Sequence, residues 1–415
     1  MKELLKTVIK DFHKRGVPQL IDRAVNIPFN SGKIISIIGP RRAGKTYLMY
    51  QLISRIKDIT DVLYFNFEDE RLDLSAKDLN LILEAYFELY PDKEESGIFF
   101  FFDELQGIRE WERFVRRVYD TVSRNIFVTG SSSKLLSKEI ATSLRGRTIS
   151  YELLPLSFRE YLKFKGVEED AHSTRGKSRI VSVFDNYLAR GGFPETVDMS
   201  KDLYEKTLRT YFEVMIYRDI VERFSITNPL PLKLFVKRLM ANTAREFSVN
   251  KIFNSFKSEG IKISKDSLYN FLEYCQDAFV LITISNFSES LSKQIIKKVY
   301  SIDTGLTSTL SFTLSREKGS LLENAVLLEL KRREKEVYYY KERLECDFVI
   351  KEKDKINQAI QVCYTINKNN KERELNGLKE AMERFSLKKG LILTSNQEKK
   401  IGTAEIIPAW KWMLK

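Results

Sequence analysis

Apolar residues fall into short runs between positions 33 and 151 and into helical spacing beyond position 156. The runs at 34–38, 62–67, 98–102, 126–129 and 148–151 read as strands. Four of the five are almost wholly apolar, as parallel strands covered on both faces must be. Between them, 45–56 and 111–122 repeat apolar residues every three or four positions, the spacing of amphipathic helices. Strands alternating with helices predict a doubly wound α/β domain.

After position 156 the pattern predicts helices at 158–164, 181–189 and 203–223, with Gly191-Gly192 and Pro194 marking a tight connection. From 232 to 284 the order is helix, helix, turn, helix, then a β-rich run. Ser258-Glu259-Gly260 forms the turn, and Ser264 stands where it would cap the last helix. That segment reads as a helix-turn-helix with a β-wing. Residues 321–412 alternate helix and strand again. The predicted domains are 1–155, 156–230, 231–310 and 311–415.

Composition narrows the chemistry. The 415 residues include 43% hydrophobic positions, enough for packed cores, with three Cys and two His. Cys275, Cys346 and Cys363 are too scattered for a disulfide framework or a zinc cluster. His13 and His172 lie in charged or polar stretches, are expected at the surface, and have no second ligand nearby in sequence. Catalysis is therefore expected from carboxylates, Lys, Arg and a bound metal. No apolar run approaches the ~18 residues of a spanning helix, and the charged N-terminus does not resemble a signal peptide. A soluble, cytoplasmic protein without membrane partners is expected. The net charge is +12, of which +2 lies in 1–160, none in 161–230, +4 in 231–310 and +6 in 311–415.

One motif carries specific chemistry. Gly39-Pro40-Arg41-Arg42-Ala43-Gly44-Lys45-Thr46 matches the P-loop pattern G-x-x-x-x-G-K-[ST], and Tyr47 follows it into the predicted helix. Backbone N–H groups at such a helix N-terminus surround a phosphate, and glycines permit the close approach. Lys45 would place a positive charge on the β/γ-phosphates of ATP or ADP. Thr46 would bind Mg²⁺. Downstream, the run at 99–102 ends in Asp103-Glu104, the Walker B pattern: Asp103 for the metal, Glu104 for the attacking water. The strand at 126–129 leads into Gly130 and Ser131-Ser132-Ser133. Of the hydroxyls from Thr129 to Ser133, Ser131 is the expected sensor of the γ-phosphate. Arg147, or Arg145, just before the last strand, would serve as an arginine finger toward a neighbouring copy in a homo-oligomer.

Taken together, GPRRAGKT, FFFFDE, VTGSSSKLL, SLRGR, ELLPLSFREYL and RGGFPE resemble the archaeal and bacterial P-loop ATPases of the AAA+ superfamily. The resemblance implies an α/β fold: a P-loop NTPase parallel sheet with a helical subdomain, then a winged helix and a small α/β, restriction-endonuclease-like domain. It also implies an ATP site matching Lys45, Thr46, Asp103 and Glu104.

The C-terminal half carries weaker signals. Lys262, Lys265 and Asn270 lie on or beside the predicted recognition helix, where a winged helix meets double-stranded DNA. Asp266, Glu273 and Asp277 oppose that contact. In the last domain a helical Glu323, then Asp347, then Gln361-Val362-Cys363 follow the order of a nuclease site. Cys363 stands where that site needs a Lys ammonium, so nuclease activity is not expected. The leading expectation is an Mg-dependent ATPase coupled to DNA. The alternatives are a nucleotide-gated protein-interaction switch and an ATP-regulated nuclease.

Overall fold

Five parallel strands, β1 (Ile34–Ile38), β2 (Val62–Asn66), β3 (Phe99–Asp103), β4 (Ile126–Gly130) and β5 (Thr148–Glu152), form a sheet in the order β2-β3-β4-β1-β5. All five predicted strands are present, with ends differing by a residue or so. The structure, a computed structural model, describes residues 1–131, 144, 146–311 and 318–415. The chain divides into two compact units, Met1–Leu153 and Leu154–Lys415.

In the first unit, helices α1 (Lys2–Arg15), α2 (Lys45–Ile53), α3 (Leu79–Leu89) and α4 (Trp111–Thr121) flank the sheet. One face of the sheet places Ile35, Ile37, Tyr64, Phe101 and Phe127 against Leu48, Met49 and Leu52 of α2. Phe101 and Phe127 stack with centroids 4.6 Å apart. On α4, Trp111, Phe114, Val115 and Val118 form one buried stripe, which is why this otherwise charged segment is helical.

Helix α1 buries Leu5, Val8, Ile9 and Phe12 and packs on α3 and on the edge strand β2. Here one expectation fails. His13 is not a surface residue: its Nδ1 lies 2.7 Å from the Tyr90 hydroxyl and its Nε2 2.8 Å from the Val62 carbonyl oxygen. The polar neighbours that suggested exposure occupy the other helix faces. His172 is exposed, as expected.

The second unit opens with α5 (Phe158–Phe164), α6 (Thr174–Arg190) and α7 (Lys201–Ile216). Ser157 and Glu160 form a reciprocal capping box at the start of α5. The predicted single helix through position 223 instead passes into a π-helical turn, Tyr217–Glu222. The Gly191-Gly192 connection is fixed from a distance: Asp303 accepts the Gly192 N–H at 2.6 Å and those of Gly305 and Leu306 at 2.8 and 3.2 Å. A Cβ on Gly191 would lie 2.0 Å from an Asp303 carboxylate oxygen, so no side chain fits. Burial pushes the Asp303 carboxyl up to about 6 against those hydrogen bonds.

Next come α8 (Pro229–Ala241), β6 (Arg245–Phe247), α9 (Val249–Ser258), α10 (Lys265–Asp277), β7 (Leu281–Ser285), the short α11 (Leu291–Ile295) and β8 (Lys297–Ser301). The strands make an antiparallel sheet in the order β6-β8-β7. Ser264 caps α10 by accepting the Ser267 N–H at 3.0 Å, as predicted. The chain continues through α12 (Thr304–Leu310), α13 (Lys318–Arg332), β9 (Glu336–Lys341), β10 (Glu345–Glu352), β11 (Lys355–Val362), α14 (Lys371–Arg384), β12 (Gly390–Thr394), β13 (Lys399–Ile401), β14 (Ala404–Pro408) and α15 (Ala409–Met413). These six strands form a mixed sheet, β13-β14-β12-β11-β10-β9. Leu156, Tyr187, Ala244, Tyr300, Leu322, Phe348 and Trp410 belong to one apolar cluster that joins α5 and α6 to α13 and one face of the six-stranded sheet. No described helix is long and apolar enough to cross a membrane.

Candidate functional site

The loop between β1 and α2 is shaped by three residues with positive φ: Gly39 (150°), Arg42 (66°) and Gly44 (95°). A Cβ on Gly39 would lie 2.2 Å from the Leu153 carbonyl oxygen, so the first glycine is obligatory. Left-handed residues in such a turn line up successive backbone N–H groups around a space suited to an anion, at the start of α2. Lys45 is buried, and its ammonium donates to the carbonyls of Gly39 and Pro40 at 3.2 Å each. It also lies 3.5 Å from Glu104. These are contacts a phosphate would share or replace.

Because β4 lies between β1 and β3, the ends of all three strands converge beside this loop. The hydroxyl of Thr46 donates to Asp103 Oδ2 at 2.7 Å, and that of Tyr64 donates to the same oxygen at 2.9 Å. Thr129 donates to Asp103 Oδ1. Burial raises the Asp103 pKa; the three hydroxyls oppose the rise and the neighbouring Glu104 charge adds to it. A hydroxyl and a carboxylate in contact at the edge of an anion cradle are the oxygen donors Mg²⁺ prefers. The residues therefore fit the metal.

Glu104 adopts a left-handed conformation, φ 54°, uncommon for a residue with a side chain. Its N–H donates to Thr129 Oγ1 at 2.8 Å, and its carboxylate accepts from Gln106. Burial pushes its pKa up, but Lys45, Gln106 and Arg41 more than offset that and hold it below the ordinary carboxylate value.

The remaining predicted residues are more dispersed. Arg41 pairs with Glu68 at 3.2 Å, Ala43 is buried, and Tyr47 is exposed on the first turn of α2. Ser131 is buried beside the site, with its oxygen 3.5 Å from Gln106 Nε2 rather than on either acid. Ser132, Ser133 and Arg145 lie outside the described residues. Arg147 precedes β5, at the end of the sheet opposite the loop, and pairs with Asp120 at 3.1 Å over the Tyr119 ring. It does not reach its own chain's loop.

In the second unit Lys262, Lys265 and Asn270 are exposed, but so are Asp266 and Glu273. Glu323 and Asp347 do come together, around the Lys298 ammonium. Gln361 does not present a free amide oxygen to them. That oxygen accepts the Asp347 N–H at 3.3 Å, and its amide nitrogen donates to Glu374 at 2.7 Å.

Four residues of the first site escape a motif search: Thr129 as the partner of both acids, Tyr64, Gln106 and Arg23. The Arg23 guanidinium donates to the Ala43 carbonyl inside the loop at 2.5 Å, and Gln51 holds the Arg23 backbone. Thr129 was one of several candidate hydroxyls. The others carry no signal in the sequence.

The family profile described as an AAA domain matches residues 31–162, the segment that holds the loop and both acids. Two profiles described as domains of unknown function, DUF8612 and DUF4143, match 182–318 and 318–412. An uncharacterized protein of Methanocaldococcus jannaschii is 40% identical over 415 residues, covering 95% of this chain and 91% of its own length. The chain belongs to that family. Another member, from Haemophilus influenzae, is 29% identical over 400 residues, covering 94% of this chain and 96% of its own. Both alignments span more than nine-tenths of this chain. The Aeropyrum pernix ORC1 protein, solved in complex with DNA, is similar over 74% of this chain and 90% of its own, at 12% identity and a TM-score of 0.32. That likeness is too distant to carry an argument.

Proposed function

We propose that this protein is an Mg-dependent ATPase whose nucleotide state rearranges its C-terminal region on double-stranded DNA. The observation that carries the catalytic part is the convergence of Lys45, Thr46, Asp103 and Glu104 at one loop. The loop N–H groups and Lys45 bind the β- and γ-phosphates. Thr46 and Asp103 hold Mg²⁺, which when bound neutralises charge on the phosphate oxygens. Glu104, ionised at neutral pH, orients a water and takes its proton as the water oxygen attacks the γ-phosphorus and ADP leaves. Thr129 fixes where Glu104 stands. Arg147 acts on a neighbouring copy's γ-phosphate in a homo-oligomer, and Ser131 reports the γ-phosphate.

The DNA part rests on charge and topology. The order α8, β6, α9, α10, β7, α11, β8, with its antiparallel sheet β6-β8-β7, supports a winged-helix reading in which α10 is the recognition helix. Lys257, Lys262 and Lys265 are exposed on that segment. Of the net charge of +12, +10 lies beyond position 230.

Steady-state ATP hydrolysis with and without duplex DNA tests the reading. Turnover stimulated by DNA and abolished by Lys45→Ala supports it. Turnover indifferent to DNA removes the coupling, and nucleotide affinity unchanged by Lys45→Ala removes the site.

A further inference from the structure

The second unit buries a charge cluster that the nucleotide site does not use. Lys298, on β8, has a side chain only 1% exposed. Its ammonium lies 3.0 Å from Glu323 of α13, 2.7 Å from Glu345 of β10 and 3.0 Å from Asp347 of β10. The ammonium donates hydrogen bonds to Glu323 and Asp347 and is ion-paired with Glu345 as well. The carboxylates are in turn committed elsewhere. Glu323 also accepts from the Tyr300 hydroxyl at 2.8 Å, Asp347 from the Val362 N–H at 2.9 Å, and Glu345 pairs with Lys341 at 3.3 Å.

We propose that Lys298 is a built-in cation that stands where three converging carboxylates would otherwise hold a divalent metal, so that this region is a fixed binding body and not a metal-dependent phosphodiesterase. Oxygen donors from two elements, α13 and β10, converge on a point, which is the way a protein binds a hard cation. That point is filled by a side chain delivered from a third element, in a position closed to water. A metal ion needs the same oxygens and cannot enter while the ammonium remains.

The neighbours agree with a closed site. Gln361, next to Asp347 across the sheet, spends its oxygen on the Asp347 N–H and its nitrogen on Glu374. Cys363 donates its thiol to the Thr365 carbonyl at 3.2 Å, and burial pushes that thiol up to about 11, so it is a neutral group. Among the described residues, neither Gln361 nor Cys363 is left to activate a water beside a metal. Glu345 has Lys341 as a second cation, which leaves Glu323 and Asp347 to share one ammonium in a buried place. The Glu323 pKa is accordingly raised by burial and by Asp347, against Lys298. The cluster also ties β8, of the three-stranded sheet, to α13 and the six-stranded sheet.

Counting bound Mn²⁺ by electron paramagnetic resonance on the full-length, nucleotide-free protein tests this. The nucleotide site contributes equally to every variant. Wild type and Glu323→Gln should bind the same number of ions. Lys298→Met, close in length but uncharged, should bind one more if circular dichroism shows it folded. Loss of one ion on Glu323→Gln overturns the proposal, because the wild-type cluster would then hold a metal. A folded Lys298→Met that gains no ion also overturns it, because the carboxylates would then not form a cation site. If Lys298→Met does not fold, the comparison of wild type with Glu323→Gln decides between the two outcomes. Plasmid nicking by wild type in Mn²⁺ that Glu323→Gln abolishes would count against the proposal as well.

Discussion

Thr129 and Asp103, side by side on neighbouring strands, are joined by a hydrogen bond from the threonine hydroxyl to the carboxylate, and the same hydroxyl accepts the Glu104 N–H at 2.8 Å. One side chain thereby sets both acids. It fixes the buried carboxylate that faces Thr46, and it holds Glu104 in its left-handed conformation. The strand order makes this possible: β4 lies between the loop strand and the acidic strand, so its end reaches both.

Thr129→Val should therefore act on hydrolysis more than on binding. It leaves a buried carboxylate oxygen and an amide without their partner, at a cost of about 1–3 kcal/mol. Misplacing Glu104 should lower kcat by roughly 10²-fold, with nucleotide affinity close to wild type and partial rescue by Thr129→Ser. Glu104→Gln keeps the shape and removes the base, so it should trap ATP and turn over about 10²- to 10⁴-fold more slowly. Equilibrium binding of a fluorescent nucleotide, run beside single-turnover hydrolysis, separates the two effects. A Thr129→Val protein with normal kcat would show that Thr129 does not position Glu104.

Which parts of this site were legible in the sequence follows from how local their determinants are. The P-loop and Asp103-Glu104 are contiguous and lie at the ends of apolar strands, so spacing alone locates them. Thr129 differs from its neighbouring hydroxyls only through register: Phe102 pairs with Val128, which puts residue 129 beside residue 103. Arg23 reaches the loop from a segment with no pattern of its own. His13 looked solvated because helical neighbours in sequence are not neighbours in space. Lys298 is the clearest case. Its three partners lie on other elements, and the order Glu323, Asp347, Gln361 gave no hint that a lysine from β8 would sit among them. The π turn at 217–222 was equally invisible, because the apolar spacing runs on through it.

Arg147 gives a prediction about assembly. In its own chain it is occupied with Asp120, at the end of the sheet away from the loop. If it serves a neighbouring copy, activity per chain should rise with protein concentration. Arg147→Ala should then bind ATP normally and hydrolyse it slowly. Mixing Arg147→Ala with Glu104→Gln should restore some turnover, since one interface then has both groups. Light scattering that shows a monomer throughout, together with no rescue on mixing, excludes the finger role and leaves Arg147 as a surface ion pair.

His13 gives a pH dependence with a definite sign. Burial lowers its pKa from the ordinary 6.5; Asp58 and the Val62 carbonyl pull it back up, and Lys93 lowers it further. The folded state therefore binds its proton less readily than the unfolded state. Stability from this residue is present above about pH 6.5 and is lost as the pH falls through and below that value. The effect should be local, loosening α1 from α3 and β2. Hydrogen exchange of the peptide spanning 2–15, corrected for intrinsic rates, should quicken between pH 7.5 and pH 5.5. His13→Gln should remove most of that pH response. An α1 whose protection is the same at both pH values would mean that the imidazole bears no part of the docking.

The DNA contact is tested by salt. Residues 231–415 carry +10 of the net +12, while 1–160 carry only +2. An electrostatic footprint should therefore lie in the second unit and have little sequence preference. Each phosphate neutralised releases counterions, so log K against log[salt] should fall by about 0.9 per contact. Lys262→Glu with Lys265→Glu should weaken binding on all duplexes alike and make the slope shallower by about 2, because phosphate contacts carry no sequence information. Arg113→Glu with Arg116→Glu, on α4 of the first unit, should matter less, and Arg113 already pairs with Glu110 there. The full-length protein is the right material, since one apolar cluster runs from Leu156 to Met413 and a fragment starting at 231 would cut it. If the Lys262/Lys265 reversal leaves both affinity and slope unchanged, α10 is not the recognition helix. If the wild-type chain shows no salt-dependent binding at low ionic strength, the positive charge serves only solvation and the C-terminal unit meets a protein instead.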